Sequence, residues 1–159
     1  MPRAKSRSKS EDINPDYVRM YYEHQYDRIK KHEEQALNIS NIVLTISALI
    51  ITFGLNNRQS FGSILILFLP AVIIIANLFA IFYIRDSAGW IKSHRMRAKR
   101  ILEIYMPELF VLDHETIAPH KKQTIGRRRF QNLIHILFIV IAVILMFLFA
   151  LEALGVPIM

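Results

Sequence analysis

Apolar residues in this chain fall into three long blocks, Leu37 to Leu55, Gly62 to Ile84 and Phe130 to Leu154, and nearly all charge lies outside them. Each block is close to the ~20 residues a helix needs to cross ~30 Å of hydrocarbon. None contains Lys or Arg. The pattern predicts an all-α membrane protein with three transmembrane helices, over 37–55, 62–84 and 130–154.

The polar stretches keep a helical period. Asn14-Pro15-Asp16 supplies an N-cap, a proline at the first helical position and an acid in the first turn. From there no proline interrupts the chain before the first span ends, so a cytoplasmic amphipathic helix over 14–36 is expected to run on into that span. Val18, Tyr22, Tyr26 and Ile29 form its apolar stripe, beside Tyr17 and Tyr21. After the second span, RDSAGWIKSHRMRAKRILEIYM places Ile91, Ala98, Leu102 and Tyr105 on one side and its basic residues largely on the others. Trp90 stands at an interfacial anchor position. Pro107 ends that helix, and the rest of the basic segment 85–129 reads as a loop with at most a short helix.

Composition adds direction. The chain has 159 residues, 53% hydrophobic, with 20 Lys and Arg and a net charge of +7. Eight basic residues precede the first span, one (Arg58) lies between spans one and two, eleven lie between spans two and three, and none follows. The positive-inside rule therefore puts the amino terminus and 85–129 in the cytoplasm and the carboxyl terminus outside, as in a multi-pass protein of the cell inner membrane. Residues 1–13, dense in Ser and basic residues, read as a mobile tail. The basic segments flank membrane spans, which favours anionic lipid headgroups over nucleic acid as their partner. The first apolar block follows a charged, Tyr-rich stretch, so a cleaved signal peptide is not expected. The absence of cysteine rules out disulfides, thiolate metal sites and a thiol nucleophile.

Within the spans the polar residues form a pattern. Asn38, Asn41, Thr45, Ala48 and Thr52 follow one another at steps of three and four, a seam suited to helix packing or to lining a water path. Asn77, beside Ala76 and Ala80 in the second span, needs a partner at mid-depth, and Asn41 or Thr45 is the expected one. Pro70 is expected to kink that span unless neighbours satisfy the freed carbonyl. His135, about one turn into the third span, is either a helix–helix hydrogen bond or a proton-handling group. No nucleotide-binding, zinc-protease or hydrolase motif is present, so no catalytic residue, cofactor or metal site is assigned.

The layout YYEHQYDRIKKHEEQALNISNIVLTISALIITFGL, then a tight outer turn, then IFYIRDSAGWIKSHRMRAKRIL, resembles the SLATT-type small membrane proteins of bacterial conflict operons. The likeness spans about residues 14–105, and the third span is an addition to the two-span pattern. It implies a homo-oligomer that perforates or depolarises the host membrane when a sensor or signalling partner detects infection. The leading expectation is thus an oligomeric pore-forming or membrane-perturbing effector of antiphage defence. A non-catalytic anchor or assembly factor recruiting a soluble partner is the second, and a small channel or transporter subunit the third.

Overall fold

A computed structural model describes residues 14–57, 63–117 and 126–154. The expectations stated for the tail 1–13, the turn at Arg58, residues 118–125 and the end 155–159 lie outside the described residues. These form four helices and, among the described residues, no strand: α1 (Pro15–Asn56), α2 (Ser63–Tyr105), α3 (Pro107–Ile117) and α4 (Arg127–Ala153). Three of them, α1, α2 and α4, are long and apolar enough to cross a membrane.

Local chemistry sets the helix ends. The Asn14 side chain accepts from the Asp16 N–H at 2.9 Å, and Pro15 occupies the first turn, where its missing N–H costs nothing. At the far end of α1, the backbone N–H and the side-chain amide of Asn57 both donate to the Phe53 carbonyl, at 3.1 and 3.0 Å. The amphipathic stretch and the first span are one helix of 42 residues, about 63 Å long at 1.5 Å per residue. α2, of 43 residues, likewise joins the second span to the basic helix and continues through Pro70 as a single element. Pro107 opens α3, an 11-residue helix that Lys99 ties back to α2 by lying 5.1 Å above the Phe110 ring.

α1 and α2 form an antiparallel hairpin, because cross-helix neighbours run in opposite order: Gln25 with His94, Ser47 with Asn77, Gly54 with Leu69. The buried face of α2 reads Pro70, Ile73, Asn77, Ala80, Ile84, Ser87, Ile91, His94, Ala98. From Pro70 to Ala98 the steps alternate three and four, the period of a left-handed coiled coil, through both the apolar and the basic halves of the helix, and Leu102, also buried, follows at a further step of four. α1 answers with Ala36, Ser40, Ser47 and Gly54, small residues that bring two backbones close where lipid supplies no hydrophobic drive. α4 buries His135, Ala142 and Phe149, spaced by seven, and packs mainly on α2, so α2 lies between the other two spans.

Two expectations are corrected by this packing. Tyr26 is not on the buried stripe of α1: it is 49% exposed, and Gln25, one position earlier, is buried at 2%. The polar seam of the first span does not meet the chain's own helices. Asn38, Asn41, Thr45, Ala48 and Thr52 are all exposed, two positions away from Ser40, Val43, Ser47, Ile50 and Gly54 and hence about 200° round the helix.

Candidate functional site

The polar groups of the three spans meet in one buried junction. The Asn77 side-chain amide donates to Ser47 Oγ on α1 at 2.8 Å and to the Ile73 carbonyl at 2.9 Å. That orientation leaves Asn77 Oδ1 as an acceptor, and His135 Nδ1 on α4 lies 2.7 Å from it. His135 Nδ1 therefore carries the proton, and in this tautomer Nε2 accepts from the Ser40 hydroxyl of α1 at 2.9 Å. His135 and Asn77 are both 0% exposed. Four side chains from three helices thus satisfy one another where no water competes, which fixes the rotation of each helix about its axis.

Asn77 and His135 are accordingly brought together, but not with Asn41 or Thr45, the partners expected for Asn77. An antiparallel helix offers one face, and on α1 that face carries Ser40 and Ser47. Both serines were missed in the sequence, although their seven-residue spacing, continued at Gly54, was a usable signal. Asn132, one turn before His135 on α4, has a buried Oδ1 with no hydrogen-bond partner, alone in this among the described residues.

A second polar layer crosses the basic half of the hairpin. Gln25 Nε2 donates to the Tyr21 carbonyl at 3.5 Å, so its Oε1 accepts from His94 Nδ1 at 2.8 Å. His32 lies between His94 and Trp90, with ring centroids 5.8 and 6.2 Å away. Burial pushes the His94 pKa below the usual histidine value, and the positive charge of Arg97 and the nearby His32, Arg28 and His24 push it further down. Arg95 and Glu33 close the layer with an exposed ion pair at 3.0 Å.

Two cavities among the described residues contrast in kind. At the end away from the basic half, Ile50, Gly54, Pro70, Ile73 and Phe149 surround about 10 Å³, at the limit of what holds one water molecule. Where the basic half meets the apolar spans, a cavity of about 110 Å³ opens between α1, α2 and the start of α4, with Arg127 and Arg128 on its rim.

Of the four seam residues Asn38, Asn41, Thr45 and Thr52, none takes part in either polar layer. They occupy the outer face of α1 beside Ile42, Ile46, Leu49 and Phe53, which are 47–64% exposed. Comparison with family models, with curated proteins and with solved structures finds no match to this chain.

Proposed function

We propose that this protein is a homo-oligomeric membrane-perturbing effector, in bacterial antiphage defence, whose copies meet along the outer face of α1. The observation that carries the reading is the position of Asn41: it stands on a span-forming helix, exposed and without a hydrogen-bond partner among the described residues. A primary amide left unpaired in hydrocarbon costs several kcal/mol. Threonine hydroxyls relieve themselves by bonding to the carbonyl four residues earlier, but an asparagine amide has two donors and an acceptor to place. The same face on a second copy offers both, so the seam is self-complementary.

A single copy has its spans packed on small residues and polar bonds, and the cavity of about 10 Å³ beside Pro70 is too small for a file of water. A water path therefore belongs between copies, lined by Asn38, Asn41, Thr45 and Thr52. The basic half of the hairpin, with its exposed Tyr17, Met20 and Tyr21, is the surface that receives the trigger. Those three side chains also favour the second reading, a non-conducting anchor that recruits a soluble partner.

The experiment compares membrane potential, read by a voltage-sensitive dye, in bacteria expressing the wild type or Asn41→Leu at matched membrane levels, with crosslinking to follow assembly. Depolarisation by the wild type alone, with both chains crosslinking, is the result expected of a polar path. Loss of crosslinking in Asn41→Leu makes the seam a packing contact. A wild type that assembles without depolarising leaves the anchor.

A further inference from the structure

We propose that the cavity between α1, α2 and the first turn of α4 binds the phosphate of an anionic phospholipid. The proposal rests on the chain spanning a membrane, not on its conducting ions. Arg127 and Arg128 are the first two residues of a 27-residue helix whose N-cap, Gly126, offers no side-chain cap. Both line the cavity, so their positive charge, the unbonded N–H groups of the first turn and the positive end of the helix dipole share one rim.

A helix end alone is not a binding site, and Ser87 supplies the independent observation. It lines the same cavity, is 3% exposed and takes part in none of the hydrogen bonds of the described residues. Unlike Asn132 Oδ1, its hydroxyl is not sealed off, and an unpaired hydroxyl in the wall of a cavity of about 110 Å³ has room for a ligand beside it. Gln131 adds an amide donor from the second turn of α4. Glu33 also lies on the rim, but its carboxylate is held by Arg95 at 3.0 Å, so the cavity keeps a positive balance.

The remaining walls choose between a lipid and a soluble anion. Leu37, Ile84 and Ile91 make the floor apolar, and they lie where the apolar blocks give way to charge, the level of headgroup phosphates. A phosphodiester here meets cations on one side and sends its acyl chains along apolar helices on the other. The shallow groove next to it, which shares Arg128 and adds Lys92 and Lys99, raises the local positive potential.

The test uses the full chain in nanodiscs of phosphatidylcholine with a minor share of phosphatidylglycerol, and native mass spectrometry after release to count retained lipids. The wild type is expected to keep one phosphatidylglycerol in preference to phosphatidylcholine. The double variant Arg127→Gln/Arg128→Gln loses it, roughly 10- to 100-fold in apparent affinity, as expected for two charge-assisted contacts. Ser87→Ala, a smaller change that leaves the helix start intact, weakens retention in the same direction. Arg19→Gln/Lys30→Gln, removing the same charge from the exposed face of α1, leaves it unchanged. Equal retention by the wild type and the Arg127/Arg128 variant overturns the site, and so does equal retention of the two lipids. If inorganic phosphate alone stabilises the lipid-free protein as well as phosphatidylglycerol does, the lipid assignment falls and a soluble-anion site replaces it.

Discussion

His135 Nδ1 on α4 lies 2.7 Å from Asn77 Oδ1 on α2, and this contact joins the third span to a bond that α2 already makes with Ser47 of α1. One asparagine thereby sets the register of three helices. An apolar interface in lipid cannot do this, since leucine packs as well on a lipid tail as on another leucine.

Asn77→Leu is expected to destabilise the isolated chain by about 1–3 kcal/mol, because it leaves the ring nitrogen of His135 and the hydroxyl of Ser47 without partners. Asn41→Leu, which removes no bond within the chain, is expected to change that stability by less than about 0.5 kcal/mol. Unfolding of the monomer in mixed micelles by a denaturing detergent measures both. Equal losses would mean that the outer seam is bonded inside the chain after all.

Gly54, near the end of α1, lies against the side chain of Leu69 on α2: a Cβ there would stand 3.3 Å from Leu69 Cδ1. Gly54→Ala asks only that the tip of the Leu69 side chain move by a few tenths of an ångström. Gly54→Leu has no such escape and is expected to cost about 1–3 kcal/mol by pushing the helices apart. The same unfolding measurement, made on both variants, separates the two outcomes. A tolerated leucine would place the helices farther apart than this contact implies.

The Gln25–His94 layer gives the hairpin a pH dependence of known sign. The folded state lowers the pKa of His94 from its ordinary value of about 6.5, so the unfolded chain binds the proton more readily. Stability is complete above that ordinary value and falls as the pH drops from it toward the folded value. Thermal unfolding followed between pH 8 and pH 5 should show this loss on acidification. His94→Gln should flatten it, and Gln25→Glu, which sets a carboxylate against the ring, should reduce it. An acid loss that survives His94→Gln assigns the titration to another group.

The sequence by itself determined that three helices are long and apolar enough to cross a membrane, since length and the exclusion of Lys and Arg from a block follow from the thickness of hydrocarbon alone. The start at Asn14 and the stop of the second long helix before Pro107 were equally legible, because caps and prolines act within a few residues. Only the tertiary structure decided which face of each helix is inside. In water an apolar stripe turns inward to escape solvent, so periodicity reveals burial; in lipid, Ile75 and Phe82 stay exposed at 67% and 65% without penalty. The most visible polar series, Asn38 to Thr52, therefore drew attention to the outer face. The working contacts of Ser40, Ser47, Asn77 and His135 depend on pairing residues up to 95 positions apart, which only the packing of the three helices decides.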